Sequence, residues 1–217
     1  MNDDILLNIL NRDAKYVNSH VNLDILEGAD VTITGATGLV GLNIICALNY
    51  YNNNNAKQRI NINALSYSKP IGVIKKVFEE NCVNSISGDL SDCSFIKKLP
   101  LSDCIIHSAG YGQPGKFLDD KLKTISINTS ATISLSKKLK KEGRFLFLSS
   151  SEVYSGCTSK ENIESDIGTT APNHARSCYI EGKRSGEAVI NVLRDKGFRA
   201  TSARLALAYG PGVRVGD

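Results

Sequence analysis

The 217-residue chain predicts an α/β fold built on a doubly wound parallel sheet. Three observations predict it. A β-branched run, Asp30 to Thr34, leads without a break into the glycine-rich GATGLVG of 35–41, and apolar residues then recur at Leu39, Leu42, Ile45, Cys46 and Leu48 with helical spacing. Further short apolar runs alternate with helical patterns, which implies parallel strands covered on both faces. The polar residues best suited to chemistry sit where those strands end, and an open α/β sheet binds its ligands there.

In chain order, an amphipathic helix is expected from Asn2 to about Val17, packed outside the core, so that residues 1–28 form a helical extension and 29–217 a dinucleotide-binding domain. The first strand is 30–34, and its helix is expected to end in an asparagine-rich loop from Tyr50 to Asn55. A second strand near 60–65, a helix near 71–80 and a third strand near 83–87, ending in GDL, follow. A short helix near 94–99 precedes a fourth strand at 103–107, which ends in HSAG, and one long helix is expected over 119–141. The fifth strand is 144–149. From Ser177 small or apolar residues recur at Tyr179, Gly182, Gly186, Val189, Ile190 and Leu193, the pattern of a helix buried along one face. A sixth strand, 199–207, is closed by a turn at Gly210, Pro211 and Gly212.

Composition narrows the function. With 41% hydrophobic and 22% charged residues the chain is an ordinary globular one, not a disordered one. Its net charge of +4 comes from scattered lysines with no basic run interleaved with aromatics, so a nucleic-acid partner is not expected. Asp3 and Asp4 stand where a signal peptide carries positive charge, and the apolar run from Ile5 to Leu7 is too short to span a membrane. Six cysteines spread singly fit a reducing cytoplasm, and no metal site is expected.

Two motifs carry chemistry. In the glycine loop, Gly35, Gly38 and Gly41 let backbone N–H groups approach a pyrophosphate, and the following helix adds its unpaired donors and its dipole. The spacing is G-x-x-G-x-x-G rather than the G-x-G-x-x-G of ordinary dinucleotide dehydrogenases. Tyr179 and Lys183 lie four residues apart on one helical face, a phenol beside a cation. For that phenol to act as a base near neutral pH, its pKa must fall by about three units, roughly 4 kcal/mol of preferential stabilisation of the phenolate.

Together with GDL at 88–90, HSAG at 107–110, INTSAT at 127–132, SSSEVYS at 149–155, YIEGK at 179–183 and ARLALAYGPG at 203–212, these motifs resemble the extended short-chain dehydrogenase/reductase family. The resemblance is to its NAD-dependent nucleotide-sugar epimerase, dehydratase and decarboxylase branch, and it implies a Rossmann-like domain. By that resemblance Gly35, Thr37, Gly38, Leu39, Val40 and Gly41 hold the cofactor pyrophosphate, and Asp89 and Leu90 lie by the adenine. Ser108, Ala109, Gly110 and Asn128 line the cofactor, and Lys183 binds the nicotinamide ribose. Tyr179 becomes the catalytic base, Ser150 orients the sugar hydroxyl, and Ser151 and Arg176 meet the substrate. Other readings stay open. Ser149 to Ser151 could satisfy strand-end backbone groups, Asp89 could be a turn residue, and Glu152 could be a carboxylate paired with a nearby lysine. His107 reads as a packed strand-end residue. Where the family carries an acid at the end of the second strand, this chain has Ser66, Tyr67, Ser68 and Lys69. The cofactor is therefore NAD, with NADP left open.

The reaction expected from the resemblance starts with oxidation of the sugar at C4. A 4,6-dehydratase would carry Thr-Asp-Glu at 150–152, whereas this chain has Ser150, Ser151 and Glu152, and serine is a poor general acid. A uronic acid oxidised at C4 is a β-keto acid that loses CO₂ without a strong acid. RSCYIEGKR at 176–184 also resembles the same stretch of UDP-glucuronate decarboxylases. Decarboxylation is the favoured expectation, with Glu152 as proton relay; dehydratase and 4-epimerase are the alternatives. By the resemblance, family members continue into a C-terminal domain that grips the nucleotide sugar, and these 217 residues are expected to lack it, so a cofactor-binding fragment without turnover is the reading of another class. The resemblance also implies a homodimer, formed by pairing the helices near 119–141 and 178–196.

Overall fold

A computed structural model describes residues 3–81 and 83–210. Six parallel strands run in the order β3-β2-β1-β4-β5-β6: β1 Asp30–Thr34, β2 Asn61–Ser66, β3 Asn84–Ser87, β4 Ser102–His107, β5 Leu139–Ser150 and β6 Arg199–Leu205. The order reverses between β1 and β4, which opens a crevice at their carboxyl ends. Residues past Gly210, including the rest of the turn expected at Pro211 and Gly212, lie outside the described residues.

One face of the sheet is covered by helices α1 (Asp3–His20), α2 (Leu39–Asn54) and α3 (Gly72–Glu80). The helix expected to lie outside the core is part of it: Leu10 and Ala14 of α1 are buried in one cluster with Leu42, Ile45, Val77 and Phe78. The amphipathic stripe of α1 had to be covered by something, and α2 and α3 cover it.

The other face carries α4 (Cys93–Lys97), α5 (Pro114–Asp119), α6 (Lys121–Asn128), α7 (Ser130–Ser136) and α8 (Ser177–Asp195). The single helix expected over 119–141 is interrupted. The backbone leaves helical geometry at Thr129 (φ −112°, ψ −77°), whose hydroxyl donates back to Ile125 O at 2.8 Å. The chain then enters β5 at Leu139, because Leu139 pairs with Ser102 and Ser102 N donates to Lys138 O at 2.9 Å. The helical period of SLSKKLKK is local, and sheet pairing overrides it.

α8 packs tightly on β5 at Gly186. A Cβ on Gly186 would overlap the buried Phe147 ring and come within 2.9 Å of Asn128 O, whereas one on Gly182 would meet Asn128 Cβ at 3.4 Å, an ordinary contact. Gly186→Ala is therefore expected to destabilise the fold by about 1–3 kcal/mol, the usual range for overpacking. Gly182→Ala should be tolerated, since alanine favours the helix. Urea midpoints of the two variants check this, and equal midpoints would show that α8 can move off β5.

Candidate functional site

The strand ends bring the motifs together. Gly35 takes φ +65° as the chain leaves β1, and a Cβ there would stand 2.7 Å from Ser108 O and 2.8 Å from Ala109 N. A Cβ on Gly41 would overlap Gly35 O. Gly38 caps α2 without a side-chain hydrogen bond, so the first-turn N–H groups at Leu39, Val40 and Gly41 face the crevice mouth unsatisfied by the helix itself. Thr37 is half-buried between them.

Below this loop Thr34 is a junction. Its Oγ1 accepts from Ala109 N (3.0 Å) and lies 2.7 Å from Nδ1 of His107. His107 Nε2 is 3.0 Å from Ile127 O, so Nε2 carries the proton and Nδ1 accepts from Thr34. Ser108 Oγ donates to Thr34 O. Full burial, with the Lys183 charge adding to it, pushes His107 down to about 4, while the Ile127 carbonyl works the other way. It is a neutral packed residue, as the sequence predicts.

At the end of β5, Ser150 accepts from Glu152 N at 3.2 Å, within the turn Ser151–Tyr154 that leaves Ser151 exposed. Glu152 is paired with Arg176 rather than with a lysine. Arg176 also lies 5.5 Å from the Phe117 ring centroid, and its buried Nε has no partner among the described residues. Tyr179 stacks on Phe117 with centroids 4.7 Å apart and is buried. Burial raises its pKa, the Glu152 charge adds to that, and the Ser150 hydroxyl and Arg176 oppose it.

Lys183 is buried on the same face of α8. Its Nζ donates to Leu148 O at 2.7 Å and lies 5.7 Å from the Tyr179 ring centroid. Burial pushes it down to about 8, against the pull of Glu187. Glu187 accepts from Ser149 Oγ (2.5 Å) and from Arg204 Nε (2.9 Å) and Nη2 (2.7 Å), so Ser149 serves a side chain of α8 rather than strand-end backbone.

Asp89 is both a turn residue and an ion-pair partner. It accepts from Ser91 N (2.8 Å) and Oγ (2.7 Å) and from Lys123 Nζ (2.6 Å), which outweigh its burial and hold it below the usual carboxylate range. Leu90 packs with Leu65, Ile96 and Ile105 in the core. Asn128 is wholly buried, and its Oδ1 has no partner among the described residues. A Cβ on Gly110 would be 4.0 Å from that oxygen and 3.5 Å from Lys183 Nζ.

The sequence reading did not single out Phe117, Lys123, Glu187 or Arg204 as site residues. Of these, Glu187 was within reach of a sequence signal, since it follows Lys183 by four residues on the same helical face.

These residues fit a dinucleotide. The loop glycines make a cradle that side chains would fill, the helix N-terminus above it offers uncommitted donors, and the orphaned Asn128 oxygen borders the same crevice. Fold and crevice together define a dinucleotide-binding α/β protein. Residues 31–217 match the NAD dependent epimerase/dehydratase family, and the chain belongs to it. UDP-glucuronic acid decarboxylase 6 of Arabidopsis thaliana is 26% identical over 208 residues, covering 95% of this chain and 56% of the relative. UDP-glucuronic acid decarboxylase 1 of the same plant is 34% identical over 117 residues, 53% of this chain and 27% of that one. The UDP-Glc/GlcNAc 4-epimerase of Campylobacter jejuni shares the fold with a TM-score of 0.64 at 19% identity, over 82% of this chain and 53% of the epimerase. The chain thus spans about half the length, or less, of these relatives.

Burial of neutral His107 has a consequence for stability. Its folded pKa lies below the unfolded value of 6.5, so the unfolded chain binds the extra proton and stability falls as pH drops from about 6.5 towards 4. From this group alone the fold should be about 2 kcal/mol less stable at pH 5 than at pH 7.5. Urea unfolding across that range measures it, and a flat profile would mean that His107 accepts a proton in place.

Proposed function

We propose that this chain is the nucleotide-binding half of an NAD(P)-dependent nucleotide-sugar enzyme working through a 4-keto sugar, most closely a UDP-glucuronate decarboxylase. The observation that carries the reading is the convergence of Ser150, Glu152, Arg176, Tyr179 and Lys183 around the end of β5, beside the glycine cradle. Bound there, the nicotinamide would supply the hydride acceptor for the sugar C4 carbinol.

The protein's own residues do the rest. Tyr179 takes the C4 hydroxyl proton. Ser150, whose hydroxyl favours the Tyr179 phenolate, holds that hydroxyl in line. In the unliganded site burial works against the phenolate, so the base needs an added positive charge, and Lys183 is engaged elsewhere with Leu148 O. Glu152 relays a proton at the carbon that loses CO₂. Arg176, with its unpartnered Nε, can exchange its hold on Glu152 for the substrate carboxylate while Ser151 faces the sugar. Gly35, Thr37, Gly38, Leu39, Val40 and Gly41 hold the pyrophosphate. Asp89, Leu90, Ser108, Ala109, Gly110 and Asn128 line the remainder of the cofactor, and Lys183 holds its nicotinamide ribose.

A second copy of the chain is the proposed partner. Ile125 on α6, Ile133 on α7 and Val192 on α8 are exposed, and α6 and α7 both pack against α8, so the three helices can bury these residues in a dimer.

With UDP-glucuronate and cofactor, CO₂ release is the expected turnover. Glu152→Gln should lower it by two to four orders of magnitude, the range for a positioned acid or base, and unchanged turnover would remove Glu152 from the mechanism. Offered a nucleotide hexose that carries a C6 hydroxyl, such as UDP-glucose, Ser151→Asp should bring in dehydratase activity, in which that hydroxyl leaves as water and a 4-keto-6-deoxy sugar is read. Cofactor binding with no turnover of any nucleotide sugar would favour a cofactor-binding fragment. A monomer in sedimentation at micromolar concentration would count against the dimer.

A further inference from the structure

We propose that the adenosine end of the crevice prefers a dinucleotide bearing a 2′-phosphate, NADP(H), over one with a free 2′-hydroxyl. This rests on the reading of the glycine loop as a dinucleotide site, and it goes beyond the NAD of the family description. A free ribose hydroxyl is ordinarily held by a carboxylate at the end of the second strand, some twenty residues past the glycine loop. β2 ends here at Ser66, followed by Tyr67, Ser68 and Lys69, with no carboxylate among them.

The structure adds what the sequence leaves open. Ser66 is buried and its hydroxyl donates to Ser68 O at 2.8 Å, a turn that leaves Tyr67, Ser68 and Lys69 exposed at the rim. The carboxylate at the neighbouring strand end, Asp89, is next to them, since Gly88 N donates to Ser66 O at 2.9 Å. Asp89 is already committed to Ser91 and Lys123 and is poorly placed to accept from a ribose hydroxyl as well. Lys123 reaches this point from α6, its side chain only 15% exposed, with Nζ 4.2 Å from the Tyr67 ring centroid. Lys69 makes no ion pair among the described residues.

A free 2′-hydroxyl would find its usual acceptor missing. A 2′-phosphate would find the Ser68 hydroxyl and the Lys69 ammonium unengaged, with the Lys123 cation behind the Tyr67 ring and one carboxylate already neutralised. The 70% exposed Tyr67 ring offers a face on which the adenine can stack.

The test is a fluorescence titration of the chain with NADPH and NADH; the chain has no tryptophan to interfere with the nicotinamide signal. NADPH should bind at least tenfold tighter, and adenosine 2′-monophosphate should displace it better than adenosine 5′-monophosphate does. Lys69→Glu, an exposed change checked for folding by circular dichroism, should weaken NADPH and reduce its advantage to threefold or less, while NADH affinity holds or rises because the new carboxylate can accept from the free 2′-hydroxyl. Equal or tighter NADH binding, or an NADPH advantage that survives Lys69→Glu, overturns the proposal and leaves the dinucleotide site standing. Binding of neither cofactor overturns both.

Discussion

The structure depends on how closely two loops approach at the point where strand order reverses. Gly35 and the Ser108–Ala109 backbone are so near that no side chain fits between them, and the Thr34 hydroxyl stitches them by accepting from Ala109 N while donating to His107. Each partner constrains the next. The Thr34 hydrogen can point at His107 only while Nδ1 is an acceptor, and Nδ1 is an acceptor only because Ile127 O takes the Nε2 proton. Ile127 in turn belongs to α6, so the helix that carries Lys123 and Asn128 is tied to the floor of the glycine loop. The width of the crevice follows from buried hydrogen bonds that are costly to leave unmade.

A second network organises the other side. Glu187 joins β5 through Ser149 and β6 through Arg204, and Arg204 Nη1 continues to the Tyr154 hydroxyl at 2.8 Å. The bidentate pair fixes α8 along the sheet, and Tyr179 and Lys183 on that helix inherit its position. Glu187 also gives Lys183 a nearby negative charge, which opposes the burial that would otherwise neutralise it.

Much of this was legible in the sequence. The strand, glycine loop and helix start from Asp30 to Leu48 carry three independent signals in one stretch, a β-branched run, a glycine spacing and a helical period, and fall where those signals place them. The buried face of α8 was legible for the same reason. The expected helix over 119–141 was not, because its period runs on through residues that the edge of β4 recruits as strand. Nor was the end of α2: the loop expected at Tyr50 to Asn55 is helical to Asn54, because Tyr51 bonds Asp24 and Glu27 and Asn52 bonds the Ile60 backbone. The depth of α1 in the core was hidden too, since an apolar stripe reveals that it will be covered and not by what.

At the site the division is sharper. Sequence by itself determined which residue types stand at the strand ends, because strand and helix periods are local and the polar residues between them have nowhere else to be. Only the tertiary structure decided whom they meet. Asp89 meets Lys123, Glu152 meets Arg176, Ser149 meets Glu187, and Lys183 turns to Leu148 O instead of the phenol four residues before it. These partners lie 34, 24, 38 and 35 residues apart along the chain. A pairing over that distance exists only once the sheet has stacked its strand ends at one edge, and no local period records it.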